Sequence, residues 1–224
     1  GFFDTTIHTG DLFFCSVLKF RAARELAQLH GLGNDDEKVK QFNTNAHRLA
    51  SAIELTFATP SGLFKASTGK SDQPDVWGTA FASYVGALSM ESELRASRAL
   101  NQAYRDHTLA FGGGVRHVLT SDDFSETTAW SHTDCRKNTY QNGAYWATPV
   151  GWVVYTMAKT DRAAGRKLAS EYIATLREDD FRKGVRFGGP WECKHPTNDH
   201  KQNPVYLTSV TCPLAAFNRL DEGE

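Results

Sequence analysis

The chain has 224 residues, enough to bury one sizeable core, and its 25 basic and 26 acidic residues give a net charge of −1. This balance leaves no electrostatic footprint for nucleic acid or an anionic membrane, so neither is expected as a partner. The hydrophobic content is 40%, the mean hydropathy is −0.46, and no apolar run reaches the roughly 18 residues that span a bilayer. A single domain over residues 1–224 is the expectation.

The first part of the chain predicts two helices and a short strand. Apolar residues recur at helical spacing from Asp11 to His30, and the glycines that follow end that helix. The acidic cluster 34–36 is typical of a helix N-cap, and the next apolar series runs to Leu55. Residues 63–65 then favour a short strand.

The rest of the chain predicts further helices separated by long loops. An apolar helix begins near Asp75 and an amphipathic one follows it. Residues 109–142 are an irregular stretch of a length that usually carries function. Helices are then expected at about 148–159, 161–178 and 205–220, with a second rich loop at 187–203; Pro213 should kink the last helix or delay its start.

In each of the first three predicted pairs of helices, an apolar helix precedes an amphipathic one. Helices that are apolar all round lie buried, and striped ones lie outside. The sequence therefore predicts an all-α fold, an α/α toroid with inner and outer helices, and only minor β hairpins in its loops.

A loose internal repeat opens the predicted inner helices. Three copies begin at Gln73, Gln141 and Gln202, and a weaker one begins at Thr9. The spacing of roughly 60–70 residues exceeds that of common short solenoid repeats and suits a helical hairpin with a substantial loop. Because each copy leads into an inner helix, we expect their polar and aromatic side chains to gather on one rim.

These segments resemble the six-hairpin glycosidase superfamily of (α/α)6 toroids, which includes glucoamylases, trehalases and unsaturated glucuronyl hydrolases. The resemblance lies in residues 75–80 (DVWGTA), 140–146 (YQNGAYW), 190–192 (PWE) and 206–209 (YLTS). It implies a carbohydrate-active hydrolase, with inversion at the anomeric carbon as the superfamily's usual outcome. The chain supplies only about seven helices, or about four of six hairpins, so it resembles the C-terminal part of such a toroid. A missing N-terminal portion or a partner chain is then expected to complete the ring.

Glycoside hydrolysis needs two carboxylates, one to protonate the leaving group and one to activate water or attack. The candidates on the predicted rim are Asp75 and Glu192, with Asp11 as a weaker third. Asp75 has an alternative role as a helix N-cap, and Glu192 as a solvated loop carboxylate. The acidic residues of the long loop, such as Asp122 and Asp123, are read as solvated.

An oligosaccharide or glycoside substrate calls for flat aromatic side chains that stack on sugar rings and for amides that bond hydroxyls. The histidines of the long loop, with Arg116, are candidates for a hydroxyl or a substrate carboxylate. The predicted substrate-binding residues are Trp77, His117, Trp130, His132, Gln141, Asn142, Tyr145, Trp146, Trp191, Gln202 and Tyr206, and Gln73 belongs to the same set. A buried core role is the alternative for each aromatic residue.

Two other functions stay open at this point. One is a sugar epimerase similar to the N-acylglucosamine 2-epimerases, which would require His117 and His132 to face each other. The other is a non-catalytic saccharide-binding toroid. No metal or cofactor is indicated, because His195, Asp199 and His200 lack a further ligand at defined spacing.

The four cysteines form no metal motif. Cys15 and Cys212 lie in apolar segments and are expected to be buried, while Cys135 and Cys193 lie in polar loops where a disulfide is conceivable.

Overall fold

The computed structural model describes residues 4–221. Helices account for most of this part of the chain, and two short 3-10 helices, Thr120–Asp122 and Phe181–Lys183, lie in its loops. The α-helices are α1 (Phe13–Leu32), α2 (Asp36–Phe57), α3 (Val76–Tyr84), α4 (Met90–Arg105), α5 (Val150–Met157), α6 (Arg162–Glu178) and α7 (Thr208–Asp221).

Short strands occupy the connections between the helix pairs. They are β1 (Phe64–Lys65), β2 (Pro74–Asp75), β3 (Ala110–Phe111), β4 (Gly114–Arg116), β5 (Tyr145–Trp146), β6 (Cys193–Lys194) and β7 (Lys201–Gln202). Strands β1 and β2 pair with each other, and β3 to β7 form one antiparallel sheet in chain order. In this sheet, Val115 of β4 faces Trp146 of β5, which in turn faces Cys193 of β6.

The all-α toroid predicted from the sequence is wrong. The protein is a mixed α/β fold, 51% helical and 11% strand, with a five-stranded antiparallel sheet and a two-stranded one. Its strands have only two or three residues each, too few for an alternating pattern of period two to stand out in the sequence. The sheet also joins segments that lie far apart along the chain, and local patterns do not reveal such pairings.

Burial separates the helices into two kinds. Every residue of α3 except Tyr84 is buried, and every residue of α5 except Tyr155. Helix α1 packs on α3, α3 on α5, and α5 on α7, while α2, α4 and α6 pack beside them and expose a polar face. Such wholly apolar helices are stable only where neighbours cover every side.

The helix starts follow the capping signals of the sequence. The Asp35 side chain accepts a hydrogen bond from the Lys38 N–H (3.1 Å), which confirms the predicted cap of α2. Ser89 caps α4 and Asp161 caps α6 through the same kind of bond. Each such cap is worth about 0.5–2 kcal/mol.

Gly112 and Gly113 make the turn between β3 and β4. The stretch 109–142, predicted to be irregular, therefore begins with a β-hairpin. Gly112 and Gly113 have φ of +53° and +75°, in the left-handed region that favours glycine. A Cβ on Gly113 would lie 2.2 Å from the Cα of Tyr172. This hairpin therefore packs directly on the backbone of α6.

The cysteines differ from expectation. Cys15 is exposed on α1 and Cys212 is only partly buried, so the prediction that both are core residues is wrong. Apolar neighbours in sequence do not determine which side of a helix a residue takes. Cys135 and Cys193 are both free thiols, and Cys193 is buried.

The strands place polar and aromatic residues at the starts of α3, α5 and α7. Strand β2 runs directly into α3, β5 lies just before α5, and β7 lies just before α7. We call the surface built from residues 4–12, 66–75, 107–149 and 187–207 the loop face.

Candidate functional site

Backbone hydrogen bonds join the segments of the loop face. The N–H of Ile7 donates to the carbonyl of His132 (2.9 Å), and that of Val76 donates to the carbonyl of His117 (3.0 Å). The N–H of Tyr140 donates to Nε2 of His200 (3.0 Å). Side chains from distant parts of the sequence are thereby held beside one another.

Asp75 lies at the start of α3 and is fully buried. Its Oδ1 accepts a hydrogen bond from the Gly78 N–H (2.7 Å) and lies 3.1 Å from Nε2 of His117. Burial alone raises the pKa of Asp75, but the His117 ring and the Gly78 N–H favour the carboxylate and hold its pKa below the usual range. Asp75 therefore acts as an N-cap and as an ionised partner of His117.

His117 is buried between aromatic rings. The ring of Trp77 stacks on it at 4.0 Å with an interplanar angle of 1°, and Trp130 meets it edge-on at 4.8 Å. Burial lowers the pKa of His117 to about 4 even though the Asp75 carboxylate opposes this shift. At neutral pH the imidazole is therefore uncharged, with its Nε2 3.1 Å from the Asp75 carboxylate.

His8 joins this group from the N-terminal segment, and no sequence motif marks it. Its ring lies edge-on to Trp130 at 5.0 Å, and its Nδ1 is 3.1 Å from the carbonyl oxygen of Ser71. Burial, followed by the neighbouring His117, lowers its pKa to about 4. Two histidines thus flank Trp130.

Glu192 lies between the sheet and α7 and is only 4% exposed. Its Oε2 accepts a hydrogen bond from Nδ2 of Asn203 (2.7 Å), and its own N–H donates to the carbonyls of Gln202 and Asn203 (both 3.1 Å). Burial, followed by the Glu192 carboxylate, raises the pKa of Tyr206. Glu192 is thus a buried, oriented carboxylate and is not solvated.

The side chain of Tyr140 binds a further carboxylate, that of Asp4. Its hydroxyl donates to Oδ2 of Asp4 (2.5 Å), and its ring lies 4.9 Å from that of Trp146. Burial, the bond to Asp4 and the nearby Glu192 together raise the pKa of Tyr140 above its ordinary value. The phenol therefore stays protonated and serves as a hydrogen-bond donor.

Three residues of the loop face have a left-handed backbone, and one of them, Asn203, bonds Glu192. Tyr140, Asn203 and Val205 have φ of +40°, +47° and +53°. A positive φ is unfavourable for a tyrosine and more so for the β-branched Val205. Strain of this kind clusters at functional sites, where surrounding structure holds it in place.

The predicted amides are engaged with the protein backbone. Oδ1 of Asn142 accepts from the Ala129 N–H and its Nδ2 donates to the Cys135 carbonyl, both at 2.7 Å. Gln141 accepts from the N–H of Asp4 (2.8 Å) and Gln73 donates to the carbonyl of Ala129 (2.6 Å). These side chains fasten the loops to one another.

The remaining predicted residues are spread across the loop face. Trp77, Trp130 and Trp146 are fully buried, whereas His132 is exposed and does not face His117 through any described contact. Tyr145 lies within the sheet, with its ring 5.5 Å from that of His195. Trp191 donates its indole N–H to Asp179, and both Trp191 and Gln202 are half-buried. Asp11 is exposed.

Arg116 is the cation of a buried network at the end of β4. Its guanidinium donates to the carbonyl of Gly143 (3.0 Å) and to Oδ1 of Asp123 (2.8 Å), and it is 1% exposed. Lys137 pairs with Oδ2 of the same carboxylate (2.9 Å). Asp123, read from the sequence as solvated, is thus an internal counter-ion.

Trp146 lies between the surroundings of Asp75 and those of Tyr140. The ring of Trp146 contacts Trp77 on the side of His117 and Tyr140 on the side of Glu192. Gln141 connects the same two sides, because its carbonyl accepts the indole N–H of Trp130 while its side chain holds Asp4.

Comparisons with known proteins identify no family: no family model matches the chain, and no curated protein is similar enough to count as a relative. Within residues 4–221, no helix has the length and apolar character needed to cross a membrane. The same residues contain no group of three or more His, Cys, Asp or Glu side chains arranged to hold a metal ion.

Proposed function

We propose that the protein is a glycoside hydrolase whose substrate binds at the loop face beside Glu192. The observation that carries this proposal is the setting of Glu192: a buried carboxylate that the amide of Asn203 orients through a 2.7 Å hydrogen bond, in a loop between Trp191 and strand β6. Aromatic surfaces and a fixed carboxylate are what a sugar site requires.

Backbone strain and burial support the same position. Val205, which lies two residues after the Asn203 that bonds Glu192, adopts a positive φ that is unfavourable for a β-branched residue. Asp75 enters this proposal as the partner of His117, because its carboxylate is fully buried against the ring and the helix start.

The test is a Glu192→Gln variant assayed against a panel of aryl glycosides and disaccharides. We expect wild-type protein to hydrolyse at least one of them and the variant to lose about 10²–10⁴-fold in kcat, the usual contribution of one acid–base group. Glu171→Gln is the matched control, since Glu171 of α6 is a half-buried carboxylate that also accepts one side-chain hydrogen bond, from the Tyr104 hydroxyl of α4 (2.7 Å). Equal rates in both variants would remove Glu192 from the mechanism.

A second candidate is sugar epimerisation, which the Asp75–His117 pair favours. A carboxylate on one ring nitrogen fixes the tautomer of a histidine base, and His8 offers a second imidazole across Trp130. Incubation with N-acylglucosamines in deuterium oxide distinguishes the two functions. Deuterium at the carbon next to the anomeric centre would favour epimerisation, whereas new reducing ends without deuterium would favour hydrolysis.

A further inference from the structure

A small cavity lies between the turn of the β3–β4 hairpin, the last turns of α6 and the segment 189–191, and we call it the α6 cavity. Its empty space is about 360 Å³, counted together with its open mouth, and its lining is mainly apolar. The aromatic residues Tyr145, Tyr172 and Trp191 line it, and Leu176 of α6 lies among them. An apolar cavity with few polar groups is the usual setting for a small apolar ligand.

Both walls of the α6 cavity are fastened separately to the end of α6. On one side, the Thr175 hydroxyl donates to the carbonyl of Gly112 in the hairpin turn (2.8 Å). On the other side, the indole N–H of Trp191 donates to the Asp179 carboxylate, and the N–H of Gly189 donates to the Asp179 carbonyl (2.8 Å). Thr175 and Asp179 are four residues apart, about 6 Å along the helix axis. The two walls are therefore held apart, and the cavity does not close by their collapse.

The walls of the α6 cavity favour a planar ligand. On the hairpin side, Gly112 and Gly114 line the cavity with backbone alone. On the other side, the Trp191 ring lies so close to Gly188 that a Cβ there would be 2.2 Å from its Cζ2, and the Ser209 hydroxyl donates to the Trp191 carbonyl (2.8 Å). An indole that is held against the backbone in this way is a fixed flat surface, on which an aromatic ring packs well.

The charged groups at the α6 cavity favour an anionic substituent on that ring. Lys194 of β6 lines the cavity and is half-buried. The carboxylate of Asp179 accepts the Trp191 N–H and lies 4.0 Å from Nζ of Lys201, so its negative charge is already countered. Burial lowers the pKa of Lys194, although Asp179 opposes this shift. A ligand carboxylate beside Lys194 would offset the cost of burying its ammonium group.

We propose that the α6 cavity binds a small aromatic carboxylate of the benzoate class, with its ring between the hairpin turn and Trp191 and its carboxylate beside Lys194. The site is additional to the one proposed at Glu192, whose carboxylate is bound by Asn203. Binding alone tests it and no turnover is needed, so it stands or falls independently of the glycosidase function.

The test is calorimetric titration of benzoate into the wild-type protein and three variants. Leu176→Phe fills the cavity from α6 and should weaken binding at least about tenfold. Ile173→Phe is the matched control, because Ile173 is an apolar residue of the same helix that lines a different groove, beside α7, and its binding should equal that of wild type. Lys194→Met should weaken benzoate about tenfold or more and leave benzyl alcohol unaffected.

Nuclear Overhauser effects between the ring protons of benzoate and the methyl groups of Leu176 and Thr175 locate the ligand in the wild-type protein without any variant. Cyclohexanecarboxylate carries the same charge on a puckered ring and should bind at least about tenfold more weakly than benzoate. The proposal is overturned by a wild-type protein that binds no benzoate at millimolar concentration, by Overhauser effects to other methyl groups only, or by equal binding of the two acids. Unchanged benzoate binding by Lys194→Met would overturn the place given to the carboxylate.

Discussion

Replacement of Asn142 by alanine tests whether the amides of the loop face are fasteners of the fold. Asn142 is fully buried, and its side chain satisfies the Ala129 N–H and the Cys135 carbonyl at 2.7 Å each. Its removal leaves both backbone groups without a partner. Each buried orphan costs about 1–3 kcal/mol, so the variant should lose about 2–6 kcal/mol of unfolding free energy. That is a large part of the roughly 5–15 kcal/mol of a typical domain.

Asn198→Ala is the matched control for this variant. Asn198 also makes two side-chain bonds to backbone, donating to the Asn138 carbonyl (2.9 Å) and accepting the His200 N–H (3.2 Å). It is exposed, so water replaces what is lost and the expected cost is below about 1 kcal/mol. Urea unfolding followed by tryptophan fluorescence measures both variants. A difference between the two variants of less than about 1 kcal/mol would show that the buried hydrogen bonds of Asn142 do not stabilise the fold.

Two other predictions concern pH and backbone geometry. Because the pKa of His117 is about 4 when folded and about 6.5 when unfolded, the unfolded chain binds more protons between these values. The contribution of His117 to the free energy of unfolding should therefore be full above pH 6.5 and fall by up to roughly 3 kcal/mol as the pH drops to 4. In urea titrations at a series of pH values, His117→Asn should remove this contribution to the pH dependence. Gly113→Ala and Gly86→Ala share the same positive φ (+75° and +74°), but only the first places its Cβ against Tyr172. Thermal unfolding should show a cost of about 1–2 kcal/mol for Gly86→Ala and a clearly greater one for Gly113→Ala; equal costs would contradict the steric argument.

The helices were the predictable part of this fold. Their apolar spacing and caps depend on residues three or four apart, so the cap at Asp35 and the start of α6 near Asp161 follow from local sequence. The strand predicted at 63–65 was confirmed as β1 for the same local reason. The five-stranded sheet was missed, because its β4–β5 and β5–β6 pairings span long stretches of chain and its β3–β4 and β6–β7 hairpins have only two or three residues in each strand.

In the candidate site, too, only the residues with a local signal in the sequence were predicted. The sequence drew attention to Asp75 because it precedes an apolar helix and to Glu192 because it lies beside Trp191 in a glycine-flanked loop; both lie on the loop face, and both are buried. It could not reveal His8 or Asp4, whose partners Ser71 and Tyr140 lie far along the chain. The sequence also could not show which amides bind the backbone, because asparagine and glutamine side chains can bind either sugars or the backbone of neighbouring loops.

Whether Glu192 acts on a glycosidic bond is measured by the ratio of kcat/KM between wild-type protein and Glu192→Gln on a hydrolysed glycoside. We expect a ratio of at least about 10², with Glu171→Gln near unity and with folded stability of Glu192→Gln retained. A ratio near unity, or a loss of rate that tracks unfolding of the variant, would contradict this expectation.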